Sequence, residues 1–230
     1  MKSTSAAQSS VERPAAKAGD FVIGGDLRVH RLGFGAMRIT GKGIWGEPKD
    51  RAEAIRVLRK AVELGINFID TADSYGPSVS EEIIAEALYP YPKELVIATT
   101  AGLERPGPDQ WTPNGKPAHL RQACEGSLRR LRVERIDLYQ LHRIDDKVPA
   151  EDQLGTLKDL QAEGKIKHIG LSEVSVRQIE HARTIVPIVS AQMGGLHPGA
   201  TKQFRLPFDT VPETWNNVMP QLVIAGITFQ

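Results

Sequence analysis

Cysteine is all but absent from this chain: Cys124 is the only one among 230 residues. No intrachain disulfide can form, and a reducing, cytoplasmic setting is expected. Long apolar runs are missing too. None approaches the ~20 residues of a transmembrane helix, so no membrane partner is expected. Charge of one sign is equally scarce, with 29 Lys+Arg against 28 Asp+Glu. That balance gives no electrostatic case for nucleic acid or an anionic membrane surface. No G-x-G-x-x-G fingerprint follows a strand-like segment, which disfavours a Rossmann origin. His30, His119, His168, His181 and His197 show no metal-ligand spacing, so no metal is expected. Met1 to Gly19 lacks the apolar core of about 7–15 residues that a secretory signal needs. Its Ser-, Ala- and Lys-rich composition predicts a flexible tail over 1–19. An amphipathic targeting peptide is the weaker alternative, since the segment holds only Lys2, Arg13 and Lys17 as basic residues.

What is present reads as an ordinary globular protein, 40% hydrophobic and 25% charged. Strand-like and helix-like segments alternate from Phe21 to about Gln192. Phe21 to His30 has the pattern of a hairpin with Gly24-Gly25-Asp26 as its turn. Strands are expected at 32–37, 67–71, 95–100, 136–142, 167–172 and 187–192, separated by helical patterns. That alternation is the mark of βα units and a parallel sheet. Asp50 with Glu53 predicts a capping box, Gly65 a helix stop, and Ile55, Leu58 and Val62 a core stripe. Leu120, Ala123, Cys124, Ser127, Leu128 and Leu131 share one helix face, which makes Cys124 a packing residue. The Arg129-Arg130-Leu-Arg132 run is expected on the solvated side of that helix. Leu154, Leu157 and Leu160 mark the next helix, ended by Gly164, and Ser175 with Gln178 caps the one after. Beyond Gln192 the order dissolves, and only 222–229 has a strand-like pattern. Six strands are accounted for, where a closed barrel needs eight. The expected layout is a tail over 1–19, a βα barrel portion over 20–192, and a divergent segment over 193–230.

The chemistry concentrates at strand ends, where βα proteins gather their loops into a mouth. One apolar strand ends in Asp70, within Asn67-Phe-Ile-Asp-Thr-Ala-Asp-Ser-Tyr75-Gly76, and Tyr75 follows five residues later. A second, Ile136-Asp-Leu-Tyr-Gln-Leu-His142, ends in histidine. Taken singly, Asp70 could merely cap a loop and Tyr75 could merely pack. Together they resemble the active site of the aldo-keto reductases, NADPH-dependent carbonyl reductases on a TIM barrel. Gly33-Phe-Gly-Ala-Met-Arg38 and Gly164-Lys-Ile-Lys-His-Ile-Gly-Leu-Ser172 resemble two further signatures of that family. The resemblance runs from about Leu27 to Gln192.

The resemblance implies a (β/α)8 barrel, incomplete after the sixth strand, that reduces an aldehyde or ketone by hydride transfer. Tyr75 would be the acid, His142 would orient the carbonyl, and Asp70 would support them. Ala36, Met37, Asp70, Ser172, Glu173 and Gln192 would contact NADPH. Trp45 and Trp111 lie in loops suited to lining a substrate pocket. Two departures stand against full activity. Thr100 occupies the place of the family's active-site lysine, so Asp70 is expected to lose its cationic partner and Tyr75 its nearby charge. The phosphate loop of strand seven has no recognisable counterpart, although Lys202 and Arg205 carry suitable charge. The alternatives are an inactive nucleotide-binding or interaction protein, or a truncated or frame-shifted product. Open barrel edges are also expected to promote self-association.

Overall fold

A computed structural model describes residues 13–193. The antiparallel hairpin of β1 (Asp20–Ile23) and β2 (Leu27–His30) comes first, with Ile23 opposite Leu27 across the Gly24-Gly25-Asp26 turn. Then β3 (Phe34–Gly35), α1 (Arg51–Glu63), β4 (Phe68–Asp70), α2 (Val79–Leu88) and β5 (Val96–Ala101) follow. A small antiparallel pair, β6 (Leu103–Glu104) and β7 (Thr112–Pro113), lies in the loop before α3 (Pro117–Leu131). The chain continues through β8 (Ile136–Leu141), α4 (Ala150–Ala162), β9 (Ile166–Val174), α5 (Val176–Arg183) and β10 (Ser190–Met193).

Six of these strands form one parallel sheet in the order β3-β4-β5-β8-β9-β10. A helix joins each neighbouring pair, so every catalytic candidate at a strand's C-terminal end opens on the same side. Side chains alternate across each strand. Outward-facing Ile69, Ile97, Tyr139, Leu141, Ile169 and Leu171 pack against Leu58, Ile83, Leu120, Cys124, Leu154, Leu157 and Leu160 of the helices. Each fully buried leucine of this layer contributes about 1.5–3 kcal/mol. Inward-facing Phe68, Val96, Ala98 and Leu138 meet Ile23, Leu27 and Val29 of the hairpin instead, which closes the N-terminal end of the sheet. Asn67 ties that floor in place, accepting from the backbone N–H of His30 (2.7 Å) and donating to the Arg28 carbonyl (3.2 Å). At the hairpin tip, Asp26 meets His168 (2.6 Å) and Lys167 (2.9 Å) of β9. The His168 ring lies so close to Gly24 that a Cβ there would approach within 2.6 Å.

Several expectations are corrected by the backbone. The strand expected over 32–37 is only Phe34–Gly35, because the chain turns at once into a 3₁₀ helix, Ala36–Ile39. The carbonyls of Ala36 and Met37 accept from the Ser80 and Thr40 hydroxyls rather than from a ladder. At the foot of the expected tail, Pro14–Ala18 form a 3₁₀ turn: Ala15 is buried and its N–H donates to the Leu64 carbonyl (3.0 Å). The rest of that expected tail lies outside the described residues, as do 194–230 with Lys202, Arg205 and the strand-like stretch 222–229. Asp50 caps α1 by accepting from the Glu53 N–H (2.8 Å). Glu53 pairs with Arg56 instead of completing the box. Ser175 and Gln178 form the full reciprocal box on α5. Among the described residues, no helix is long and apolar enough to cross a membrane.

Candidate active site

The strand register explains why the site residues meet. Gly35 of β3 stands opposite Asp70, and Asp70 opposite Ala98, at the C-terminal end of β4. On β5 and β8, Thr100 stands opposite Gln140. Thr100 and Gln140 point into the sheet's concave side, while Thr99 and Tyr139 point out to the helices, following the two-residue alternation. Gln140 Nε2 donates to the Asp70 carboxylate at 2.9 Å and approaches the Thr100 hydroxyl at 3.3 Å. Room for this amide comes from β9: a Cβ on Gly170 would lie 3.0 Å from Gln140 Cγ and 3.2 Å from the Ser190 carbonyl.

Asp70 therefore keeps a partner, but a neutral one. Burial dominates, and the hydrogen bond from Gln140 only partly offsets it, so its carboxyl is pushed up to about 6. One strand end further along, His142 is 6% exposed and its backbone N–H donates to the Ala101 carbonyl at 2.8 Å. Burial pushes its imidazole down to about 4; the charges of Arg143 and Arg105 act the same way and Glu173 opposes them. At neutral pH this ring is uncharged. Ser74 Oγ faces its Nδ1 at 3.4 Å.

Tyr75 completes the group. Its ring meets His142 edge-on at 6.0 Å between centroids and Trp111 at 6.3 Å, while Trp111 lies 6.0 Å from His142. Burial raises the Tyr75 hydroxyl above its ordinary value, and the negative charges of Asp70 and Glu173 add to the rise. Among the described residues, no cation contributes in the opposite direction. Lys93 and Lys116, the nearest lysines in sequence to Thr100, are both exposed.

The two outer strands hold a second cluster. Ser172 Oγ donates to Gln192 Oε1 at 3.2 Å, bridging β9 and β10. Glu173, in the left-handed region at φ 52°, is ion-paired with Arg143, the neighbour of His142. Ala36 and Met37 sit across the sheet, on the 3₁₀ turn beyond β3. The structure thus gathers Asp70, Tyr75 and His142 at one mouth, with Ser172, Glu173 and Gln192 as a separate pair of strand ends.

Three residues at the mouth were not anticipated. Gln140 had a usable signal, since it lies two before His142 on a strand and so shares its face. Ser74 had only its adjacency to Tyr75. Arg105, whose guanidinium lies 3.6 Å from the centre of the Trp111 ring, sits in an irregular loop with no periodicity to read. The arginine run is corrected as well. Arg130 turns inward and pairs with Glu81 at 2.7 Å; Glu81 is fully buried and also accepts from the Thr99 hydroxyl at 2.5 Å.

A parallel βα sheet thus carries Asp70, Tyr75 and His142 at its C-terminal mouth. The family follows from sequence: residues 31–195 match the profile of the Aldo/keto reductase family, and the chain belongs to it. It is 55% identical over 190 residues to an uncharacterised oxidoreductase of Schizosaccharomyces pombe, covering 83% of this chain and 61% of that one. Pyridoxine 4-dehydrogenase of Escherichia coli is 44% identical over 174 residues, covering 73% of this chain and 61% of its own. Among solved structures, the glycerol dehydrogenase of Gluconobacter oxydans superposes with a TM-score of 0.69 at 38% identity, covering 76% of this chain and 54% of that one. The chain therefore spans about three fifths of the length of these curated relatives.

Proposed function

We propose that this chain carries a carbonyl-reducing site served by NADPH, with turnover held low by the burial of its acid and the charges around it. The observation behind the reading is the convergence of Tyr75, His142 and Trp111 above Asp70 and Gln140. Ser172 and Gln192 suit a nicotinamide carboxamide. With Ser172 donating to Gln192 Oε1, the Gln192 amide N–H groups and the lone pairs of the Ser172 hydroxyl are left for its oxygen and nitrogen. Ala36, Met37, Asp70 and Glu173 are the further contacts this reading assigns to the nucleotide. When bound, the nucleotide supplies the hydride.

The chain's own groups do the rest. Neutral His142 can donate an N–H to a carbonyl oxygen and orient an aldehyde or ketone without surrendering a proton. The Tyr75 hydroxyl would protonate the developing alkoxide. Its proton is held tightly, because burial and two carboxylates all favour the neutral phenol. That same observation favours the second reading, an inactive nucleotide-binding or interaction protein. The layout that goes with the proposal keeps 20–192 as the barrel portion and 193–230 as a divergent segment. A cytoplasmic setting belongs to the same reading, with Cys124, the one thiol of the sequence, buried in the helix layer.

Titration of the full chain with NADPH and NADH, followed by steady-state aldehyde reduction, tests the proposal. Weak nucleotide binding with little discrimination, and turnover well below the ordinary ~10 per second, are expected. Tyr75→Phe should remove the residual turnover and leave binding intact. Absence of binding to either nucleotide would eliminate both readings that invoke one.

A further inference from the structure

We propose that Arg105 is the positioning residue of this mouth, fixing Trp111 and the Ser74–Tyr75 turn against His142. The inference rests on the reductase reading only where it concerns turnover. Four of the five guanidinium N–H groups are committed to backbone carbonyls. Nε donates to Gln110 (2.8 Å), Nη1 to Ser74 (2.8 Å) and Ile44 (2.9 Å), and Nη2 to Gly43 (2.9 Å). These acceptors belong to three separate loops: the one after β3, the one after β4 that carries Tyr75, and the β6–β7 loop that carries Trp111. The face of the same group lies on Trp111 at 3.6 Å and reaches Trp45 at 5.7 Å.

Four of the five Arg105 donors are thus spent within the protein, and one Nη2 N–H remains. The role of Arg105 is geometric. Trp111 meets Tyr75 edge-on and packs against His142 at a tilt of 58°. Ser74, whose carbonyl Arg105 holds, precedes Tyr75 and turns its hydroxyl to His142 Nδ1. Arg105 thus reaches Tyr75 and His142 through Trp111 and Ser74. A planar fork is required to reach carbonyls in three directions while stacking on indole; a lysine ammonium offers the charge without the plane. Displacing an acid by ~1 Å can cost ~100-fold in rate.

The test compares full-length wild type with Arg105→Lys, Arg105→Met, Trp111→Phe and the double variant Arg105→Lys/Trp111→Phe. Acrylamide quenching of tryptophan emission is read first. Both Arg105 variants should raise it, and most of the rise should be lost in the Trp111→Phe background, the remainder coming from Trp45. Where aldehyde turnover is measurable, kcat should fall ~10- to ~100-fold with nucleotide affinity unchanged, and lysine should not rescue it. If Arg105→Met fails to fold, the lysine variant decides alone. Wild-type quenching in Arg105→Lys, or full kcat in it, would overturn the proposal. A wild-type chain without reductase activity would refute the reductase reading by itself, and the quenching pair would still decide whether Arg105 holds Trp111.

Discussion

The side-chain amide of Gln140 lies 2.9 Å from the Asp70 carboxylate, where a cation would be the expected neighbour. A neutral donor stabilises the ionised carboxylate only in part, and Asp70 titrates near 6 instead of in the usual carboxylate range. The same nitrogen approaches the Thr100 hydroxyl at 3.3 Å.

Replacing Thr100 by lysine should therefore change turnover. A cation at ~4 Å from Tyr75, in an effective dielectric of ~20, contributes ~4 kcal/mol, about three pKa units before desolvation. Thr100→Lys should raise kcat for aldehyde reduction more than it alters KM, since the charge acts on proton transfer. Wild-type turnover already at the ordinary ~10 per second would show that another group performs this task.

Asp70 and His142 make opposite contributions to the pH dependence of stability. Asp70 is raised from 3.8 to about 6, so the stability it gives is complete below 3.8 and is lost as pH rises through 6. His142 is lowered from 6.5 to about 4, so its contribution is complete above 6.5 and is lost as pH falls through 4. Each amounts to at most ~3 kcal/mol, less for Asp70, part of whose surface stays accessible. In the wild type the two slopes largely cancel between those values. Urea unfolding near both ends of the window should show a slope with pH that is more positive than wild type in Asp70→Asn and more negative than wild type in His142→Gln. Parallel slopes in the two variants would contradict the assignment.

Glu81 and Arg130 form a buried pair of the kind that is costly to break from one side. Arg130→Met should destabilise by about 3–5 kcal/mol, because it strands the Glu81 carboxylate at zero exposure. The double variant Arg130→Met/Glu81→Met should recover much of that loss in equilibrium denaturation. Equal losses in the single and double variants would mean that lost packing, not an uncompensated charge, sets the cost.

Strands β3 and β10 are the outer members of the parallel sheet among the described residues. Unpaired strand edges recruit other chains, so self-association is expected in light scattering. A version ending at Gly194 should associate more strongly and unfold less cooperatively than the full chain. A monomer with one sharp transition after that deletion would show that the six strands need no further cover.

The alternation of elements, the hairpin and the helix stripes were legible because each rests on local periodicity. Leu120, Cys124 and Leu131 are fully buried on the face that spacing assigns them. Asp70, Tyr75 and His142 were legible as strand-end residues, and they do meet. What periodicity could not convey was the partner of each polar group. Arg130 looks like its solvated neighbours until α2 brings Glu81 beneath it, and Arg105 belongs to a loop whose shape is set by the carbonyls it binds. The strand expected at 32–37 was lost to side-chain hydroxyls, Ser80 and Thr40, that bond carbonyls a ladder would have used.

Gly170 has a consequence for sequence variation. A methyl at this position would require both Gln140 and the Ser190 backbone to yield by a few tenths of an ångström. Gly170 on β9 and Gln140 on β8 are thus two halves of one choice. Alanine at 170 should be tolerated more readily in chains that shorten residue 140, with the Ser190 carbonyl still having to give way. An alignment would show the two columns changing together, although neither residue has a counterpart in the other's loop or helix.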